Sequence, residues 1–249
     1  MSTIIAKEIG CSHCSAPVEF KPGEIVVTCK YCGFTTVIQT GQAFNFEHSL
    51  ILNNYDAARI ENCIRSWMSS GFMKPGDLAK KSKITENALV YLPFWVVSTV
   101  AATKYKGIFE RVSPPVTKDG QIEKEYNWLV LARKATVFPT REYTVPIAGK
   151  IPYDFRKIEG SAKVLNSEIN KDEALELAKQ QIEHQHRFLL QRDIDRVIEL
   201  STALELKQML YLHAPVWFIK YEYKGNLYQL IIDGSSGSVL KGDIPPSRF

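Results

Sequence analysis

Three features of the sequence predict an α+β fold. Two Cys-x-x-Cys pairs, Cys11–Cys14 and Cys29–Cys32, stand fourteen residues apart near the start. Two stretches with helical spacing, Asp56 to Ser70 and Asn170 to Leu190, each precede long runs rich in β-branched and aromatic residues. Those runs echo one another. The fold expected is a small N-terminal β ribbon over residues 1–42, then a larger domain of two related helix-plus-antiparallel-sheet units, 43–160 and 161–249.

The ribbon rests on the cysteines. Each Cys-x-x-Cys folds into a tight knuckle with both sulfurs aimed at one centre, and two knuckles together make a tetrahedral four-thiolate site suited to Zn²⁺. Pro17-Val18-Glu19-Phe20 and Glu24-Ile25-Val26-Val27-Thr28 read as the strands of a hairpin, with Lys21-Pro22-Gly23 as its turn and Phe34 to Ile38 as a third strand. Gly33 follows the second knuckle, where the backbone often needs a positive φ. Two disulfides or a redox dithiol are the rival readings. Disulfides conflict with an N-terminus in which no signal peptide is readable, and a redox pair normally stands alone at a helix N-terminus. The expectation is one structural zinc held by Cys11, Cys14, Cys29 and Cys32, with no position left open for water. His13, inside the first knuckle, reads as an exposed loop residue. So small a hairpin buries little core, and metal binding would supply most of its folding free energy.

In the first helix Ala57, Ile60, Ile64, Trp67 and Met68 share a face, Cys63 reads as a small buried hydrophobe, and Gly71 ends the helix. Lys74-Pro75-Gly76-Asp77 breaks the chain ahead of the basic segment Lys80-Lys81-Ser82-Lys83. From Leu89 to Val112 the pattern is strand, with Trp95, Val97, Thr99 and Ala101 on one face and Val96, Ser98, Val100 and Ala102 on the other. Lys118-Asp119-Gly120 reads as a turn, Trp128 to Phe138 as a returning strand, and Thr140 to Lys157 as irregular. Asn170, followed three positions later by Glu173, opens the second helix, whose buried stripe is Ala174, Leu177, Ala178, Ile182 and Gln185. His184 and His186, two apart, cannot share a helix face and read as surface residues. Strands are expected at Val197–Leu206, Leu210–Tyr223, Leu227–Asp233 and Ser238–Lys241, with Gly234-Ser235-Ser236-Gly237 as a hairpin turn. The echo pairs Tyr91-Leu92-Pro93-Phe94-Trp95 with Tyr211-Leu212-His213-Ala214-Pro215-Val216-Trp217, each copy ending in Tyr-Lys-Gly.

The ribbon, the Tyr-Leu-Pro-Phe-Trp strand and the Pro215-Val216-Trp217-Phe218-Ile219-Lys220-Tyr221-Glu222-Tyr223 ending together resemble prokaryotic zinc-ribbon-containing proteins of the transcription-factor-B type, some labelled primosomal or helicase-like. The last hairpin resembles the β-rich unit of PepSY-type domains. Bacterial members of the family sit beside membrane-maintenance proteins, so the resemblance implies an adaptor with a protein partner. Members often carry transmembrane helices after the final hairpin, and none precedes Phe249 here, so peripheral association through a partner is expected instead. A helicase is excluded by the missing phosphate loop.

No Gly-x-Ser-x-Gly, His-Glu-x-x-His or Gly-x-Gly-x-x-Gly occurs, and the reading is a non-enzymatic, cytoplasmic interaction protein. The alternative is nucleic-acid or ribosome binding. The net charge of +4 permits it without demanding it, and the first 40 residues balance Lys7, Lys21 and Lys30 against Glu8, Glu19 and Glu24. The candidate anionic-partner patch is therefore Lys74, Lys80, Lys81 and Lys83. A body with its own core from about residue 45 is expected to stay folded without the ribbon.

Overall fold

A computed structural model describes residues 7–38, 47–71, 73–134, 136–141 and 143–246. The expected ribbon exit, Thr40-Gly41-Gln42, and the boundary after residue 42 lie outside them.

Four short strands form the ribbon. β1 (Lys7–Gly10) pairs with β2 (Pro17–Phe20), and β3 (Val26–Thr28) pairs with β4 (Thr35–Val37), both antiparallel. This corrects the expected hairpin between Pro17–Phe20 and Glu24–Thr28. Each Cys-x-x-Cys reverses the chain itself and is the turn of its own hairpin. Lys21-Pro22-Gly23 does turn, with Gly23 at φ 92° and Glu24 N–H bonded to the Lys21 carbonyl at 3.1 Å, but it links two hairpins. The backbone of Ile25 and Val26 then bonds to Ser167 rather than to β2.

The body is a mixed α+β structure dominated by one eight-stranded sheet. β5 (Glu47–Leu50) leads into α1 (Ala57–Ser69), the short α2 (Leu78–Lys81), and the long strand β6 (Lys83–Phe109), which returns as β7 (Val116–Leu131). β8 (Ile151–Pro152) and β9 (Lys163–Val164) precede α3 (Lys171–Leu190), the long strand β10 (Arg196–Tyr223), β11 (Asn226–Asp233) and β12 (Val239–Gly242). Val197–Leu206 and Leu210–Tyr223 are thus one strand, kinked by an irregularity between Leu206 and Gln208. Asp56 and Asn170 cap the two long helices, accepting from the backbone N–H of Arg59 and Glu173.

Across the middle the order is β12-β11-β10-β6-β7, all neighbours antiparallel. The echoing motifs face each other, with Tyr91 opposite Pro215 and Trp95 opposite Tyr211. β5 lies parallel to β10 at Leu210–His213, and β9 lies parallel to β6 at Val90–Tyr91. On one face α1 packs Ile60, Ile64 and Met68 against Trp217, Ile219, Tyr221 and Leu230. On the same face α3 packs Ala174 and Ala178 against Trp95, Val97 and Val130. The opposite face, led by Leu92, Phe94, Val96, Leu212 and Val216, is covered by Phe138, Tyr143, Val145 and Ile147.

Lys118-Asp119-Gly120 is strand, not turn, lying opposite Tyr105–Gly107. A Cβ on Gly120 would stand 2.8 Å from the Tyr105 hydroxyl, so this glycine admits a ring rather than a bend. His186 is buried, against expectation, between Thr103 (2.6 Å) and the Tyr126 hydroxyl (2.9 Å). Its satisfied polar partners make that burial tolerable. His184 is exposed as expected, Cys63 is half-buried, and Ala57 is exposed although it shares the apolar spacing.

Candidate metal centre

The two knuckles are built alike. Cys11 N–H bonds to the Ala16 carbonyl at 2.9 Å and Cys29 N–H to that of Phe34 at 2.8 Å. Four residues after each first cysteine, Ser15 and Gly33 donate back to the Cys11 and Cys29 carbonyls at 2.8 and 2.9 Å. Both take left-handed backbone, at φ 59° and 75°. Glycine meets that requirement at no steric cost, and serine meets it at some cost.

All four sulfurs lie within 4.8 Å of one another. Cys11 and Cys32 are 3.6 Å apart, Cys14 and Cys29 3.8 Å, and no disulfide joins them. A tetrahedral centre with metal–sulfur bonds of about 2.3 Å places its sulfurs about 3.8 Å apart. Donor type, number and spacing therefore fit a four-thiolate metal site. Cys11 and Cys29 are buried, whereas Cys14 and Cys32 are exposed. Without a cation the sulfurs cannot all ionise together. Burial first, and then neighbouring sulfurs, push Cys32 up to about 12. Burial also works to raise Cys11, but backbone N–H groups of Cys14 and His13 outweigh it and hold that thiol at about 7. A bound cation favours the thiolate at every position. His13 is exposed and stacks on Phe34 at 5.5 Å.

The first hairpin and the knuckles close over Val18, Val27, Phe20 and Phe34. The second hairpin faces two ways. Val27 points into this small core and Val26 into the body beside Trp95 and Tyr211, as strand alternation dictates. Val26 and Ser167 exchange backbone bonds, and Thr28 N–H donates to Asn166 at 3.3 Å. Glu24 receives Arg133 at 3.2 Å and Asn166 at 2.9 Å, and Arg133 also reaches Glu168 at 2.9 Å. A polar chain, half-buried at Thr28 and His48 and buried at Thr35 and His213, then runs from the second knuckle into the sheet. Thr28 meets Thr35 at 3.2 Å, Thr35 meets His48 at 2.9 Å, His48 meets His213 at 2.9 Å, and His213 meets the Leu165 carbonyl at 2.9 Å. Tyr153 stacks on His48 at 4.0 Å and lies under Gly33.

Of these body partners Trp95 and Tyr211 stand in the echoing motifs, whereas Arg133, Tyr153, Asn166, Ser167 and Glu168 carry no signal in the sequence. His48 and His213 are 165 positions apart, and only the parallel pairing of β5 with β10 brings them together. The one hint was a histidine inside the apolar run Tyr211-Leu212-His213-Ala214.

Two of the four patch lysines are engaged by neighbours. Lys74 lies over the Trp67 ring at 3.7 Å and bonds the Trp67 carbonyl, and Lys81 pairs with Asp77 at 2.8 Å. Lys80 and Lys83 are exposed. Among the described residues no helix is long and apolar enough to cross a membrane. Compared with known proteins, the chain matches no family model, no curated protein and no solved structure.

Proposed function

We propose that the chain is a non-enzymatic adaptor whose single structural zinc, on Cys11, Cys14, Cys29 and Cys32, locks a ribbon onto a β-rich body. The supporting observation is the four-sulfur set itself. Four thiolates fill a tetrahedron and leave zinc no position for substrate or water. When bound, the ion supplies charge and cross-linking. The chain's own residues, Val26, Glu24, Asn166 and Arg133, fix the ribbon's place. Zinc is preferred because thiolate ligands in tetrahedral array suit it and a reducing cytoplasm keeps the sulfurs available. In this reading the body is two related units, residues 43–160 and 161–249, each a short strand, a helix and a hairpin. Its partner is a protein, in a membrane-maintenance assembly by the family resemblance. We rank nucleic acid or ribosome second, because two of the four patch lysines are already engaged by neighbours.

The test is affinity capture of the tagged, zinc-loaded chain from native lysate, beside a salt titration of DNA and RNA binding. A stoichiometric protein partner with no salt-dependent nucleic-acid binding is the expected result. Tight, salt-dependent nucleic-acid binding without a protein partner would overturn the reading.

A further inference from the structure

β11 and β7 are the outer strands of the two hairpins, and their edges are treated differently. β12 covers β11, pairing Leu230 with Gly242 and Ile232 with Val239. Among the described residues β7 pairs only with β6. Aligning Pro93-Phe94-Trp95 with Pro215-Val216-Trp217 makes the two positions comparable. Trp217 lies opposite Ile232 and Ile219 opposite Leu230, whereas Trp95 lies opposite Val130 and Val97 opposite Trp128. The stretch of β7 equivalent to the β12-covered stretch is therefore Trp128–Val130.

A groove of about 350 Å³ opens at that place. Its floor is the edge of β7 at Tyr126–Leu129, one wall is α3 through Gln181 and Gln185, and the other includes Arg141. The walls are held: Trp128 donates to Gln181 at 2.7 Å and the Tyr126 hydroxyl meets His186 at 2.9 Å. Exposed edges usually carry charges that repel a further strand. β7 has them at Lys118, Asp119, Glu123, Lys124 and Glu125, but Tyr126-Asn127-Trp128-Leu129-Val130 has none. Arg141 is exposed and belongs to none of the ion pairs among the described residues.

We infer that this groove takes an extended segment of a partner polypeptide as an added strand on β7, with a carboxylate of that segment meeting Arg141. The inference rests on the adaptor reading and gives it a surface. Backbone bonds to the edge supply affinity, and the walls and Arg141 supply selection. Added there, the strand does for β7 what β12 does for β11.

The test uses the zinc-loaded full chain and a displayed library of random short peptides. Enriched peptides carrying an acidic residue or a required free C-terminus are expected. Methylating the peptide backbone nitrogens one at a time should abolish binding at every second position, the signature of a ladder. Arg141→Glu should weaken binding by about tenfold or more, and Gln185→Trp, which fills the groove, should remove it while both variants keep the wild-type melting curve. Peptides indifferent to both substitutions, or no enrichment, would overturn the inference. So would a wild-type dimer that Gln185→Trp breaks, because the occupant would then be a second copy of the chain. A native partner captured equally well by wild type and Gln185→Trp would refute this groove but leave the adaptor reading intact. Peptide binding without any native partner would do the reverse.

Discussion

The pair formed by half-buried His48 and fully buried His213 has only one consistent proton arrangement at neutral pH. The Leu165 carbonyl can only accept, so His213 donates from Nε2 and must accept at Nδ1. His48 then donates from Nε2 and accepts at Nδ1 from Thr35, whose hydroxyl accepts in turn from Thr28. Protonating His213 would set two donors face to face. Burial holds His213 at about 4, although its bond to Leu165 works the other way, and burial and then the neighbouring His213 hold His48 below its ordinary value. The unfolded chain protonates its histidines near 6.5, so it binds more protons than the folded chain below that pH. Stability from His213 is complete above about 6.5 and is lost as pH falls towards about 4, and His48 acts in the same direction. For His213 alone the loss is on the order of 3 kcal/mol. Ring-nitrogen NMR should show both histidines as Nε2–H tautomers at neutral pH, with His213 unprotonated at pH 5. An imidazolium signal from His213 at that pH would refute the arrangement. The sequence did not announce this pair, because chain separation hides any contact that only the sheet creates. The four cysteines were legible because metal chemistry fixes local spacing.

At the scale of elements, helix starts were readable and strand pairings were not. Asn170 and Glu173 form a local signal, and the structure places the cap where the spacing predicts it. Replacing Asn170 with Ala should cost about 1 kcal/mol, seen as a lower melting temperature with unchanged metal content. The ribbon hairpins differ from expectation because strand propensity says nothing about partners, and the competing bridge, Val26 with Ser167, is distant in sequence. Gly120 was misread because a turn signal and a close approach use the same residue. Gly107 makes the second kind of demand more sharply. A Cβ there would come 2.3 Å from Ile194 Cδ1 and 2.8 Å from the Arg196 carbonyl. Gly107→Ala should therefore destabilise the chain by about 1–3 kcal/mol, measured by denaturant unfolding. A neutral result would mean that the end of the β6–β10 ladder yields easily. The two strand faces of β6 were read correctly, since alternation alone sets them.

Across the whole molecule, the ribbon is not a tethered appendage. Val26 lies in the same apolar cluster as Trp95 and Tyr211, Glu24 shares Arg133 with Glu168, and the histidine chain enters the centre of the sheet. From sequence alone, a body with its own core is expected to survive without the ribbon. These contacts predict instead that metal loss weakens both. Chelation should lower the main melting transition by at least about 5 °C and should expose Trp95 to solvent, read by fluorescence. An unchanged main transition would restore the picture of two independent parts. The ribbon depends most on the metal itself. Elemental analysis of the purified chain and its cysteine variants tests for that metal most directly. One zinc per chain is expected in the wild type and in Cys63→Ala, because Cys63 lies in α1 outside the four-sulfur cluster. Cys11→Ser and Cys29→Ser should lose the zinc. Metal-free wild-type protein, purified under reducing conditions without chelator from zinc-replete cells, would contradict the zinc site.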